Sequence, residues 1–328
     1  MTPDGPRAVL AGGSGFIGTR LAADLAVRGY SVSGIGRSGP DARWGESTRI
    51  AALVDGADLL INLAGKSVGC RYTDRNRDEI YRSRVETTQQ LHDAVSASVQ
   101  PPRLWLNAST ATIYRHATDR PQTEADGQLG SGFSVDVARN WERVFFAGDL
   151  PGTRRVAMRM AIVLGDGPAL AMLARAARFG MGGAQLDGRW FPHRRYRGIG
   201  PAPTPSVEHI DNAGGRQRFS WIHIDDLVTA LAFIDSHPDV SGPVNLASPG
   251  TSDNRTLMSA LRRAVRAPVG IPAPRWLLEP GMWVLRQESE LILKSRWAVP
   301  EVLQHAGFTF RWAELDAAVQ DLVRPTKG

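Results

Sequence analysis

The 328-residue chain predicts an α/β fold, a doubly wound parallel sheet joined to a smaller C-terminal lobe. Three observations carry that expectation. The apolar run Ala8-Val9-Leu10-Ala11 enters the glycine-rich turn Gly12-Gly13-Ser14-Gly15-Phe16-Ile17-Gly18 and leaves it as an amphipathic stretch with Leu21 and Leu25. Apolar runs that end in small or hydroxyl-bearing residues recur at 57–65, 103–110 and 155–165, with helical patterns between them. From Pro272 onward the pattern is helical and punctuated by prolines, which sets the last part of the chain apart.

Composition narrows the function classes. The hydrophobic fraction of 42% is ample for a core, and no apolar run has membrane-spanning length. No basic-then-apolar leader precedes Gly12, and the single cysteine, Cys70, excludes an intrachain disulfide and any multi-cysteine metal site. These features predict a cytoplasmic protein with no membrane partner. The net charge of +6 comes from scattered arginines, with a cluster at Arg194, Arg195 and Arg197. Without a zinc-finger spacing or a repeated basic stripe, the charge fits an anionic cofactor or substrate rather than nucleic acid. No metal is expected, because His193, His209, His223 and Asp211 lack a ligand spacing tied to a scaffold. Amphipathic helices do not reveal which face two subunits would share, so the sequence leaves the oligomeric state open.

The first strand, turn and helix read as a Rossmann-type dinucleotide site. Gly12 allows the tight turn, Gly15 lets backbone approach a pyrophosphate, and Gly18 lets the helix pack against the strand. Ser14, Phe16 and Ile17 complete the turn, and the helix offers its free N–H groups to the phosphates. The second strand, Tyr30 to Gly36, ends at Arg37-Ser38, where an acidic residue would select NAD by accepting from a free ribose 2′-hydroxyl. Arg37 and Ser38 favour NADP instead, the guanidinium pairing with a 2′-phosphate. The alternative is a solvated loop arginine.

The run 57–65 ends in Leu63-Ala64-Gly65, a small-residue turn that passes close under a cofactor. An arginine-rich helix follows, mostly solvated, from which Arg84 could line the nicotinamide or substrate space together with Trp141; otherwise both are packing residues. The strand 103–110 carries Ser109 and Thr110 at its carboxyl end, the edge where open parallel sheets bind ligands. The polar stretch from Arg115 to Gly132 reads as a loop over the cleft, and a helix starts near Ser134. After the strand 155–165 comes a break from Gly180 to Gly215, rich in Gly, Pro, Arg and His and without helical period. Phe219 to Ile224 reads as a strand, followed by a helix capped by Asp225 or Asp226. Val244 to Leu246 is a short strand and Leu257 to Val265 a helix. In the C-terminal part, Trp276, Trp283 and Trp297 are expected packing anchors, and Leu315, Ala318, Val319 and Leu322 mark a closing helix.

Two side chains stand out as proton carriers. Tyr114 has the phenol nearest the expected cleft, but phenols titrate near 10 and would need a cationic neighbour to act at neutral pH. His223 shares a strand face with Trp221 and Asp225 by alternation; it is either tuned for proton transfer or a buried histidine bonded to backbone or carboxylate. Glu142 is either a cleft carboxylate or an anchor for its helix. No Gly-x-Ser-x-Gly elbow precedes a helix, so a serine hydrolase is unsupported.

As a set, Gly12 to Gly18, Asn62-Leu-Ala-Gly65, Ser83-Arg-Val85, Ser109-Thr-Ala-Thr-Ile-Tyr114, Trp141-Glu142, Phe219-Ser-Trp-Ile-His-Ile-Asp-Asp226, Gly242 to Ala247 and Ala306 to Phe310 resemble one superfamily. It is the extended, atypical short-chain dehydrogenases/reductases, and within it the SDR39U1-type epimerase-like subgroup. The resemblance spans nearly the whole chain. It implies a mainly NAD(P)-binding Rossmann domain over 1–165 and a substrate lobe over 166–328. That lobe would include returning Rossmann elements at 219–248, an inserted loop at 189–212 that partly covers the substrate entrance, and a helical segment at 272–324. Thr110 matches the superfamily's Ser/Thr position, where a hydroxyl steadies a substrate oxygen; otherwise it is a strand-end threonine bonded to backbone. The chain departs from the family's Tyr-x-x-x-Lys pair, whose positions hold Ser134 and Ala138, and no lysine lies between Lys66 and Lys294. The expected function is an NADP-dependent oxidoreductase or epimerase-like enzyme acting on a small polar molecule. A lyase-type enzyme reusing the cleft and a non-catalytic NADP-binding sensor or interaction protein are the alternatives.

Overall fold

The fold is built outward from strands that are buried on both faces. In β1 (Arg7–Ala11), β4 (Leu59–Asn62) and β5 (Leu104–Thr110), nearly every residue is buried. Such strands read as continuous apolar runs because helices cover the sheet above and below. The computed structural model describes residues 5–188, 198–205, 213–284, 286, 288–289 and 293–323.

β2 (Ser31–Gly36), β3 (Ala42–Arg43), β6 (Arg154–Met160) and β10 (Gly242–Leu246) complete a seven-stranded sheet of order β10-β6-β5-β4-β1-β2-β3. All its pairings are parallel. The chain moves outward from β1 to β3, then crosses back to place β4 on the other side of β1. The crevice at that reversal is where doubly wound sheets bind nucleotides.

Alternation along the strands separates two core layers. Ala8, Leu10, Leu59, Ile61, Leu104 and Leu106 join α1 (Phe16–Val27) and α6 (Ile224–Ser236) on one face. Val9, Leu60 and Trp105 join α2 (Ser47–Val54), α3 (Asp74–Ala97) and part of α4 (Phe133–Phe145) on the other. A third core unites α5 (Pro168–Ala176), α7 (Asn254–Ala264) and the closing helix α10 (Leu315–Val323) around Trp221. Helices α8 (Arg275–Val284) and α9 (Glu301–His305) lie between them in sequence. No helix among the described residues is long and apolar enough to cross a membrane.

Several local expectations need correction. The run 155–165 is not one strand: it changes sheets at Ala161, whose N–H donates to Leu246 O (3.0 Å), and continues as β7 (Ile162–Leu164). The expected strand 219–224 is likewise split into β8 (Arg218–Phe219) and β9 (Trp221–His223). β7 pairs with β9, and β8 pairs antiparallel with β11 (Ser252–Asp253). At the split, the Ser220 hydroxyl donates to Arg296 O (2.9 Å) and accepts from Ala298 N–H (2.8 Å), so the C-terminal segment is laced onto the break. Neither aspartate caps α6; the His223 ring does, and buried Asp226 instead accepts from the N–H groups of Arg311 (2.9 Å) and Trp312 (2.8 Å). Trp276 and Trp283 are not packing anchors, being 66% and 67% exposed.

Candidate active site

The glycine turn has the shape of a phosphate cradle. Gly12 adopts φ +81°, and a Cβ there would sit 2.9 Å from the Leu63 carbonyl carbon. A Cβ on Gly18 would meet Gly12 O at 2.5 Å, so α1 can start this close to β1 only with glycine. Gly15 is the N-cap of α1 and supplies no side-chain acceptor, while Ser14 and Gly15 are exposed. The first-turn N–H groups and the positive end of the dipole therefore face outward, where an anion would be favoured. The ring of Phe16 is braced by Gly165 and Gly167, where a Cβ would lie 2.4 and 3.2 Å from it. Ile17 is half-buried and packs against the core.

At the end of β2, Arg37 and Ser38 are exposed, and Arg37 makes no ion pair among the described residues. The neighbouring carboxylate, Asp41, is turned inward to accept from Gly34 N–H (2.7 Å). Register pairs Gly36 with Arg43 on β3, which adds a second exposed arginine that sequence reading missed because a two-residue strand leaves almost no pattern.

The turn after β4 is held from beneath. Asn62 Nδ2 donates to Asn107 Oδ1 (2.7 Å) and Thr88 Oγ1 (3.0 Å), and its Oδ1 accepts from Ala64 N–H (3.0 Å). Leu63 N–H donates to Ala11 O (2.8 Å), which fixes Leu63, Ala64 and Gly65 beside the glycine turn. Arg84 closes this side: its Nη1 donates to Lys66 O and Ile80 O (both 3.0 Å), and its guanidinium lies 5.2 Å from the Trp141 ring centroid. A Cβ on Gly65 would come within 3.1 Å of that guanidinium. Burial lowers the Arg84 pKa to about 10, the direction expected for a cation held in a low-dielectric site.

Beyond the carboxyl ends of β5 and β6 opens a cavity of about 570 Å³. Its floor includes Thr110, Met160 and Ala161; its apolar walls include Leu173, Phe219 and Leu257. Thr110 Oγ1 accepts from Thr112 N–H (3.1 Å), which caps a 3₁₀ turn at Ala111–Ile113 and leaves the hydroxyl proton to donate. Three cations line the same cavity. The Arg218 guanidinium stacks 4.1 Å from the Trp297 ring centroid, Lys294 Nζ donates to Thr112 O (3.1 Å), and Arg296 Nε donates to Thr112 Oγ1 (3.1 Å). Gln217 adds a buried carbonyl oxygen with no hydrogen-bond partner among the described residues, and its orientation is fixed because its Nε2 donates to Gln185 O (3.0 Å).

The remaining nominated residues are elsewhere. The Tyr114 phenol is buried, donates to Asn245 Oδ1 (2.9 Å) and accepts from Arg159 Nη1 (2.9 Å). Burial raises its pKa against the opposing pull of Arg159, so it does not face the cavity as a ready base. The Ser109 hydroxyl is buried and donates to Glu142 Oε1 (2.5 Å). Glu142 holds a two-pronged pair with Arg159, Nε to Oε1 at 2.9 Å and Nη2 to Oε2 at 2.7 Å. Burial pulls Arg159 down, but Glu142 and Tyr114 outweigh it and hold the guanidinium above its ordinary value. His223 is buried, accepts from Asp225 N–H (3.1 Å) through Nδ1 and stacks on Trp312 with centroids 4.8 Å apart. It is a helix cap, not a cavity group. The loop 115–132 lines no part of the cavity; it docks on the C-terminal segment, with Gln122 N–H donating to Trp297 O (2.6 Å) and Val299 N–H to Gln122 O (3.1 Å).

Of the expected inserted loop, 189–197 and 206–212 lie outside the described residues, and with them Arg194, Arg195, Arg197, His193, His209 and Asp211. Its described part docks on α4, where Thr204 N–H and its hydroxyl donate to buried Asp136 (3.0 and 2.7 Å). Among the described residues no cluster of His, Cys, Asp or Glu could hold a metal.

The reversal point, the glycine cradle and the adjoining cavity define a Rossmann-type dinucleotide-binding protein with a C-terminal substrate lobe. Comparison with known proteins agrees. Residues 8–132 match the NAD dependent epimerase/dehydratase family, and 273–322 match a domain of unknown function, DUF1731. The epimerase family protein SDR39U1 of Bos taurus is 30% identical over 326 residues, covering 97% of this chain and 99% of that protein. The chain belongs to the SDR39U1-type epimerase family. The crystal structure of human SDR39U1 (isoform 2) with NADPH superposes with a TM-score of 0.80 at 27% identity, covering 97% of this chain and 99% of that one. A nucleoside-diphosphate sugar epimerase from Corynebacterium glutamicum shares the fold, with a TM-score of 0.70 at 24% identity over 97% of this chain and 58% of that one.

Proposed function

We propose that this protein is an NADP-dependent hydride-transfer enzyme of the epimerase type. The observation that carries the reading is the cavity at the carboxyl ends of β5 and β6, lined by Thr110 together with Arg218, Lys294 and Arg296. The glycine turn, with Gly12, Ser14, Gly15, Phe16, Ile17 and Gly18, fits a pyrophosphate. Leu63, Ala64, Gly65 and Arg84 fit the ribose and nicotinamide side, while Arg37, Ser38 and Arg43 fit a 2′-phosphate. The NADPH in the human relative supports that choice of cofactor. When bound, the cofactor supplies or takes the hydride.

The cavity sets the substrate class. Lys294, Arg296 and Arg218 suit an anionic group, and the unpartnered Gln217 oxygen suits a hydroxyl or N–H donor. An anionic, hydroxyl-bearing small molecule satisfies both, and nucleotide sugars are such molecules. They are also the class named for the structural neighbour from Corynebacterium. Thr110 donates to the reacting oxygen and orients it.

The test pairs binding with turnover. NADPH and NADH are titrated by calorimetry, and hydride transfer is followed with UDP-hexoses and with 2-hydroxy and 2-oxo acids. Tighter binding of NADPH and turnover of one panel member are expected. Thr110→Ala should lower kcat by about tenfold to a hundredfold with NADPH affinity unchanged. Wild-type protein that binds neither nucleotide, or a Thr110→Ala variant with unchanged kcat, would refute the corresponding part.

A further inference from the structure

Hydride transfer to a carbonyl leaves an oxygen that must gain one proton, and the reverse reaction must remove one. The side chain that handles it has to reach the cavity. Ser134 and Ala138 occupy the family's tyrosine and lysine positions, Tyr114 is locked between Arg159 and Asn245, and His223 caps α6. Around the cavity, the polar side chains are hydroxyls, amides and two guanidinium groups, which keep their protons throughout the working pH range, plus one amine. Among the described residues that line it, Lys294 alone has a side chain able to exchange a proton.

Its placement suits the task. Lys294 is 6% exposed, and its Nζ is held on the carbonyl of Thr112, whose N–H donates to the Thr110 hydroxyl. Ammonium and hydroxyl thus grip the two ends of one residue in the turn after β5. Arg296 fixes the side chain of that same residue. A lysine ammonium carries three protons on a flexible stem, so the Thr112 bond can position it while it also meets a substrate oxygen.

We propose that Lys294 is the acid and base of the reaction, an inference that rests on the hydride-transfer reading above. On reduction, an N–H bond of Lys294 breaks as the O–H bond of the product alcohol forms, and the neutral amine regains its proton from water. On oxidation, the amine takes the hydroxyl proton and passes it to water. The C-terminal segment thereby supplies the proton chemistry that α4 lacks.

Two measurements test this. The chain has three lysines, Lys66, Lys294 and Lys327, so amine chemistry can be mapped by peptide mass. Glyoxylate, an anionic aldehyde, is added with cyanoborohydride; an amine condenses with the aldehyde, losing water, and the imine is reduced to a stable adduct. Lys294 is expected to be modified ahead of the other two, and adducts that spare it overturn the proposal. Lys294→Arg, which keeps the charge but releases no proton, should keep NADPH affinity and KM within about twofold. Its kcat should fall by a hundredfold or more, with partial rescue of Lys294→Ala by added ethylamine. A Lys294→Arg enzyme within severalfold of wild-type kcat would sink the lysine's role and leave hydride transfer standing. Wild-type protein that traps glyoxylate at Lys294 yet turns over no panel member would overturn the hydride-transfer reading and the proton role with it.

Discussion

Replacing Arg37 with alanine should weaken NADPH binding about tenfold and leave NADH binding unchanged. The side chain is exposed and has no ion-pair partner among the described residues, so its removal breaks nothing in the free protein. The whole effect therefore falls on the complex. A hydrogen bond to a charged group contributes about 1.5–3 kcal/mol, and an exposed arginine gives back part of that in lost rotamer freedom. With that loss subtracted, about 1.4 kcal/mol remains at the low end, which corresponds to tenfold. Arg43 sits opposite Gly36 in the β2–β3 register, so the double variant Arg37→Ala/Arg43→Ala should lose up to about a hundredfold if both reach the phosphate. Calorimetry with both nucleotides provides the measurement, and raising the salt should shrink the wild-type preference because the pair is exposed. An Arg37→Ala protein with unchanged NADPH affinity, or with equal losses for both nucleotides, would refute the 2′-phosphate assignment.

Two further predictions concern buried groups. Arg159→Met leaves Glu142 buried without its partner and should cost about 3–5 kcal/mol in denaturant unfolding, with a smaller loss when Glu142→Leu is added. A single-variant loss below about 1 kcal/mol would show that the pair is not what holds β6 to α4. His223 is held below its ordinary value of 6.5 by burial, against the pull of Asp225 and Asp321. The native protein therefore stays neutral there while the unfolded chain takes up a proton. Stability is intact above the unfolded value and falls as pH drops through it toward the folded one, by at most about 1.4 kcal/mol per pH unit. His223→Asn keeps an acceptor for the Asp225 N–H and should flatten that part of the profile, below the ordinary value of 6.5, in urea unfolding. A profile that keeps its wild-type slope would assign the titration to another group.

What could be read from the sequence depended on how local the signal was. The glycine turn and the buried strands announce themselves because backbone geometry and two-sided burial restrict each position to few residue types. Lys294 and Arg296 carry no such mark. They reach the cavity through long-range contacts, among them those with Thr112, 182 and 184 residues earlier in the chain. Tyr114 and His223 misled for the same reason. Both lie near cavity-forming strands in sequence, but Asn245, Arg159 and Trp312 decide where their polar atoms point. The strand breaks at Ala161 and Ser220 were hidden because the apolar pattern continues through them while the hydrogen-bond partner changes.

The lacing of Arg296 and Ala298 onto Ser220 has a consequence for the order in which the protein matures on the ribosome. The glycine cradle and β1 are synthesised first, and Lys294 follows roughly 280 residues later, tens of seconds at ordinary elongation rates. During that interval a nascent chain can assemble much of the nucleotide crevice while its substrate chamber still lacks a wall. The edge of Ser220 and the carbonyl and hydroxyl of Thr112 wait for a strap that arrives near the end of translation. Nucleotide capture and substrate competence are therefore separate milestones in the birth of this protein, and a ribosome that stops early would release a chain equipped for the first and not the second.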